Sequence, residues 1–243
     1  MIAIILAGGR STRLHPLTKS VQKFLLPIGD TTLLRNSLGI LDSVGVTKLI
    51  FVTGFNADGV RSEVENTPLL HSTATFVHND AFETTTPLQG FALVEPHIDD
   101  DFLLLNADIY FSREILEKTL AHSGSVIAVD SSASYCENEM FVNHSDNFEV
   151  EEISKRLTHR ERGQSKSVQI AKFDYADKDV LFSRVRELAR RGDALYPANA
   201  YDALIAKHRF YAVDIAGEFW QELDTRGDLV DLHERLGIPY GLD

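Results

Sequence analysis

A chain of 243 residues, 44% hydrophobic and 25% charged, can bury a full core as one domain and requires no second. Its formal net charge of −12 sets most of the surface against a nucleic-acid backbone, so no nucleic-acid partner is expected, and any anion must be captured by a local cluster of Arg and Lys. The one cysteine, Cys136, excludes a disulfide framework and a thiolate metal cage, and a cytoplasmic location is the expectation that follows.

From the N-terminus to about Asp130, short β-rich apolar runs alternate with longer helical patterns, the order of a Rossmann-like, mixed but mostly parallel α/β sheet flanked by helices. Strands are expected at Ile2–Leu6, Lys48–Thr53, Thr73–His78, Phe102–Asn106 and Ser125–Val129, and helices at Thr32–Val44, Ala57–Glu65, Leu88–Glu95 and Arg113–His122. Thr31 or Thr32 offers an N-cap to the first helix, whose Leu33, Leu34, Leu38 and Leu41 share one face, and Gly45 is its natural stop. The apolar stretch Ile2–Ala7 is too short for a membrane span, has no basic residues ahead of it and reads as a first strand, not a signal peptide. After Asp130, Met140–Asn143 and Phe148–Ile153 flank the turn-rich H-S-D-N, the pattern of a small β-hairpin extension. The basic stretch K-R-L-T-H-R-E-R-G-Q-S-K-S reads as a loop or an edge strand. Helices at Lys178–Arg191 and Ala198–Ala206, a strand at Arg209–Val213 and a helix near Asp228–Leu236 complete the chain, with no internal repeat.

The first strand breaks at once into A-G-G-R-S-T-R-L, Ala7 to Leu14. In a parallel sheet the loop after a strand presents backbone N–H groups to ligands, which makes Leu6, Ala7, Gly8 and Gly9 candidates to line an anion site. The glycines let the backbone come close to a phosphate without a Cβ in the way. Arg13 as a fork and Lys23 as a point charge would neutralise such an anion. A plain strand end with solvated Arg10 and Arg13 is an equal reading of the loop alone. G-G-R-S-T-R matches neither G-x-G-x-x-G nor G-x-x-x-x-G-K-[ST], so neither a dinucleotide fold nor an ATPase loop is supported. L-L-L-N-A-D-I-Y places Asp108 two residues past an apolar strand, as a ligand-bearing carboxylate or as a turn residue.

L-A-G-G-R-S-T-R-L-H-P-L-T, followed by Lys23 in V-Q-K-F-L-L-P-I-G, resembles the A-G-G-x-G-T-R-L-x-P-L-T…P-K signature of nucleotidyltransferases of the glycosyltransferase-A-like fold. Ser11 stands where a third glycine is usual, and Gln22 replaces the proline before the lysine, a change expected to loosen that turn. The resemblance implies a fold of the nucleotide-diphospho-sugar transferase type. It implies one domain over residues 1–243, with a nucleotide-binding half (1–130) and an acceptor-binding half (131–243). It also implies a Mg²⁺ ion on Asp108, whose motif carries Asn106 in place of a first acid, and on Asp224 in F-W-Q-E-L-D-T-R-G-D-L. Glu222 lies on the same side of its strand as Asp224 by the period of two, and Thr225 is left as the N-cap of the last helix. In F-E-T-T-T-P-L-Q-G-F-A-L, the region that contacts base and ribose in this fold, Thr86 and Gly90 are the candidates, with helix capping an equal reading.

The short length, N-A-D-I-Y, C-E-N-E-M-F at Cys136–Phe141 and E-L-D-T resemble the phosphocholine cytidylyltransferase branch, which includes relatives acting on phosphonates. That resemblance implies CTP as donor and a small phosphate or phosphonate as acceptor. Arg13 would then serve the triphosphate, and Lys23 would stand between the α-phosphate and the incoming oxygen. Glu139, Met140, Tyr201 and Asp202 are the candidate acceptor residues. Met140 stands where that branch carries an aromatic ring, so a cation–π cage for a quaternary ammonium is left with Tyr201 and Asp202. Lys155, Arg156, His159, Arg160, Arg162 and Lys166 form either a solvated face or, turned inward, a preference for an anionic or neutral acceptor. A sugar-1-phosphate nucleotidyltransferase, a regulatory nucleotide-binding module without turnover and a glycosyltransferase remain open. No membrane partner is expected, and a homodimer is compatible with the sequence.

Overall fold

In the computed structural model, which describes residues 1–135, 139–157, 163–192 and 195–241, the apolar run Ile2–Ala7 (β1) lies inside a nine-stranded sheet. Ala3, Ile5 and Ala7 turn into one core cluster and Ile2 and Ile4 into the other. A strand covered on both faces has no position for polar alternation, hence the unbroken apolar run.

Past the glycine loop, Pro27–Ile28 (β2) and Thr31–Thr32 (β3) form a two-residue ladder that leads into helix Leu33–Ser43 (α1). Thr32 caps α1 by accepting the Arg35 N–H, and Leu33, Leu34, Leu38 and Leu41 are buried, as the sequence predicts. Lys48–Thr53 (β4), Ala57–Glu65 (α2), Thr73–His78 (β5), Pro87–Ala92 (α3) and Phe102–Asn106 (β6) follow. β1 pairs in parallel with β4 and β6, and β4 with β5, so the four carboxyl ends point the same way.

Ile109–Phe111 (β7), Arg113–Ala121 (α4) and Ser125–Asp130 (β8) come next, then the expected hairpin as Phe141–His144 (β9) and Val150–Ser154 (β10). Gln164–Phe173 (β11) is the main departure. Its Q-S-K-S start belongs to a ten-residue interior strand, antiparallel to β6, β8 and β9, and not to a loop or edge strand. Ser165, Ser167 and Lys172 are buried there, so burial is decided by position in the fold and not by hydropathy. Lys178–Ala189 (α5), Asp202–Ile205 (α6), Phe210–Asp214 (β12), Trp220–Glu222 (β13) and Arg226–Leu236 (α7) complete the chain. β12 pairs in parallel with β8, and β13 in antiparallel with β7.

The mixed, helix-flanked sheet expected from the sequence is therefore present. α1, α2, α4 and α7 send Leu38, Val60, Ile115 and Leu229 into one core; α3, α5 and α6 send Phe91, Phe182 and Leu204 into the other. No helix among the described residues is long and apolar enough to cross a membrane.

Candidate active site

The carboxyl ends of β1 and β6 open into a cleft of about 1190 Å³, lined on one side by Leu6, Ala7, Gly8 and Gly9. A Cβ built on Gly9 would meet nothing of the protein within 4 Å, and one on Gly8 only ordinary contacts from 3.6 Å outward. The protein's own packing therefore does not demand glycine at either position. Arg10 turns away to Glu83 and lies over the Phe55 and Phe82 rings. Ser11 adopts a left-handed backbone, φ 50° and ψ 47°, at the position where the signature has glycine.

Gln22 does the opposite of loosening the turn. It is 1% exposed and its Nε2 donates to the carbonyls of Ala7, at 3.1 Å, and Phe55, which ties the Lys23 turn to the end of β1. Lys23 then reaches two carboxylates at once, Asp108 Oδ2 and Asp224 Oδ1, each at 2.8 Å. The β7–β13 ladder brings those acids together: Glu222 faces Ile109, and the Leu223 N–H donates to the Asp108 carbonyl at 2.9 Å. Arg13 Nη1 closes on Asp224 Oδ2 at 2.6 Å. Thr225 caps α7 by accepting the Asp228 N–H, which leaves the Asp224 side chain to the cleft.

Carboxylate oxygens of Asp108, Glu222 and Asp224 lie within 4.8 Å of one another. Burial pulls the Lys23 ammonium down, but the charges and hydrogen bonds of Asp108 and Asp224 reverse this and hold it above the ordinary lysine value. Burial pushes the Asp224 carboxyl up, yet Lys23, Arg13 and Lys155 hold it below the usual range. Glu222, buried beside the charges of Asp108 and Asp224, is pushed up to about 7. Sequence reasoning placed Glu222 on the right face but missed Gln169, which accepts from Asn106 and hydrogen-bonds Glu222. Gln169 sits at a bulge of β11 with φ 60°, a left-handed conformation that costs a side-chain-bearing residue energy. A polar residue inside V-Q-I-A-K-F was its only signal.

The other candidates divide. Thr86 and Gly90 both line the cleft. Thr86 completes a capping box with Gln89 at the start of α3, and a Cβ on Gly90 would press on Val52 at 3.3 Å. Glu139 and Met140 also line the cleft, and Glu139 pairs with Lys166 at 2.6 Å. Tyr201 reaches the lining but is 5% exposed, with its ring against Phe173 and Phe210. Asp202 points elsewhere: it is held by Arg184 at 2.6 Å, outside the cleft, so it completes no cage. Cys136 and its two following residues, and His159, Arg160 and Arg162, lie outside the described residues.

Residues 3–173 match the MobA-like NTP transferase domain. The chain belongs to that family. This NTP transferase is 26% identical over 98% of its length to the CMP-5'-(3-aminopropyl)phosphonate synthase of Streptomyces rubellomurinus, of which it spans 39%. It is 23% identical to the CTP:phosphoglutamine cytidylyltransferase of Campylobacter jejuni, over 94% of this chain and 98% of the relative. Its fold matches the solved CTP:phosphocholine cytidylyltransferase of Streptococcus pneumoniae with a TM-score of 0.76 at 21% identity, covering 97% of this chain and 99% of that one. The protein is a nucleotidyltransferase.

The NTP transferase's acidic cluster fits a divalent cation on its own chemistry. Asp108 Oδ1 is buried with no hydrogen-bond partner among the described residues, and Glu222 is pushed up to about 7 by burial and by the neighbouring Asp108 and Asp224 charges, so the donor set has room for positive charge. Three hard oxygen donors suit a hard divalent cation.

Proposed function

We propose that this enzyme moves CMP from CTP onto a small phosphate or phosphonate and releases pyrophosphate. The observation that carries the reading is the convergence of Arg13 and Lys23 on the Asp108–Asp224 pair beside the open glycine loop, within one cleft. Relatives named for CTP supply the base.

Lys23 lies between two carboxylates, and Arg13, with a 70% exposed side chain, pairs with one of them at the solvent side. The Gln22 anchor positions Lys23, and the turn that follows Ser11 carries Arg13. A phosphate lying over Gly8 and Gly9 takes Arg13 as a fork and Lys23 as a point charge. An acceptor oxygen attacks the α-phosphorus in line; the bond to the β-phosphate oxygen breaks, and pyrophosphate leaves with the electron pair. The acceptor is already an anion at neutral pH, so no side chain has to remove a proton. Asp108, Glu222 and Asp224 would hold Mg²⁺, which draws charge from phosphate oxygens when bound. The chain's own contribution is positioning and a preorganised positive field at the α-phosphate.

The test is a panel of CTP, UTP, dTTP, ATP and GTP against phosphocholine, small phosphonates and sugar 1-phosphates, with pyrophosphate release and product mass as readouts. CTP-specific product on a phosphate or phosphonate is expected. Product on a sugar 1-phosphate alone moves the protein to the sugar branch, and no turnover with any pair removes the reading. Lys23→Ala should lower kcat by at least about 10²-fold, the scale of losing one aligned electrostatic contact to the transition state.

A further inference from the structure

The acceptor end of the cleft carries cations of its own where an aromatic cage would need bare rings. Among the described residues, five aromatic side chains line the cleft: Phe24, Phe82, Tyr196, Tyr201 and Trp220. Phe24 is 2% and Tyr201 5% exposed, both built into the core. Each of the other three already has a basic side chain of the protein over its ring. Arg10 lies 5.8 Å from the Phe82 centroid, Lys155 4.5 Å from Tyr196 and Lys166 5.0 Å from Trp220.

Trp220 and Lys166 are fixed in that arrangement. The indole Nε1 donates to Asp130 Oδ2 at 2.8 Å, which sets the ring plane, and Lys166 rises from the interior strand β11 with a side chain only 16% exposed. Its ammonium is shared between the ring and Glu139. Lys155 is exposed and makes no ion pair with a described residue. Its charge reaches far enough along the cleft to act on Asp224. At this end, then, Lys155 and Lys166 stand beside Glu139, which pairs with Lys166, and Asp130, which is engaged by Trp220.

An incoming ammonium would find its rings taken and like charges beside it, whereas a carboxylate would find Lys155, which makes no ion pair with a described residue, and Lys166, which is shared with Glu139. We infer that the acceptor bears a carboxylate at the end remote from its attacking phosphate or phosphonate oxygen, and that Lys155 and Lys166 select it. This rests on the transferase reading for the attacking group, but the head-group preference is a property of the pocket itself.

Three phosphonates of matched reach separate the alternatives: 3-phosphonopropionate, 3-hydroxypropylphosphonate and 3-aminopropylphosphonate. Each is assayed for turnover with CTP and Mg²⁺, and each is titrated calorimetrically into the enzyme with CMP present. 3-Phosphonopropionate should exceed 3-aminopropylphosphonate by at least about tenfold in kcat/KM and in affinity, the scale set by one like-charge contact. Lys155→Met, a surface change that leaves the core intact, should shrink that ratio, and Lys166→Met should shrink it further. Glu139→Gln should enlarge it, because Lys166 is released to the ligand. A preference for the amine, a ratio unmoved by both lysine variants, or a loss of carboxylate binding in Glu139→Gln overturns the inference. If none of the three is turned over, the calorimetric order alone decides the head group, and absence of carboxylate binding decides against it; the CTP-transfer reading is judged separately by the full acceptor panel.

Discussion

Ser11 holds φ 50° and ψ 47°, a conformation that costs an ordinary L-residue roughly 1–2 kcal/mol and a glycine almost nothing. It is retained in that state by its own carbonyl, which accepts from Thr18 Oγ1 at 2.7 Å and from the Leu14 N–H at 3.1 Å. Ser11→Gly should therefore leave kcat/KM within a few-fold and the melting temperature unchanged or higher, whereas Ser11→Val should lower both, because a β-branched residue resists the left-handed region. Gln22 shows the limit of reading a residue by its departure from a pattern. The missing proline suggests a slack turn, but the amide is buried and reaches two carbonyls that are far from it in sequence. Gln22→Ala leaves those carbonyls unpaired and should cost about 1–3 kcal/mol in denaturant unfolding; a change below a few tenths would show that water replaces the amide. Asp202 failed in the opposite way: nothing in N-A-Y-D discloses that Arg184, on the neighbouring α5, captures the carboxylate first.

Elements whose burial follows their hydropathy were legible. β1, β4 and β6 are apolar on both faces, α1 carries a single leucine face between a threonine cap and Gly45, and α7 begins on Thr225. β11 was not, because its polar side chains are buried by its position in the fold, and the three-residue β7 and β13 are too short for any period to show. Asp108 and Asp224 could be singled out one at a time, but the ladder that joins them could not. A similar hidden tie lies near the end of α1. Buried Asp42 accepts the N–H groups of Leu70, His71 and Ser72 and the Ser72 hydroxyl, all at 2.9 Å, pinning the approach to β5. Burial pushes its carboxyl up, but these donors outweigh it and hold it below the ordinary aspartate value. A depressed folded value means that the stabilisation is full above the unfolded value of about 3.9 and is lost as pH falls through the folded one. Asp42→Asn should lower stability at pH 7 by about 1–3 kcal/mol and flatten the fall in stability below pH 4; an acid limb of unchanged steepness would assign that fall to other carboxylates.

At the scale of the whole molecule, the acidic cluster is stitched from parts that only the finished fold brings together. Asp108 follows β6, Glu222 and Asp224 come from β13 and the turn after it, and Lys23 arrives from the loop beyond β1. Like charges gathered at 4.8 Å or less strain the folded state, and one lysine shared by two of three carboxylates offsets this only in part, as the raised Glu222 shows. A cation that binds the assembled cluster and not the unfolded chain must therefore stabilise the whole protein by mass action. At a hundred times its Kd the gain is about 2.7 kcal/mol, or roughly 5–10 °C in Tm for a chain of this size. Titrating MgCl₂ should raise the wild-type Tm along that curve and EDTA should reverse it. The Asp108→Asn, Asp224→Asn double variant should stay flat while keeping the wild-type circular dichroism spectrum. NaCl at equal ionic strength separates site binding from screening, since screening would lift both proteins alike. An equal rise in the double variant would place the cation elsewhere and leave the Asp108–Lys23–Asp224 contact a purely structural clamp.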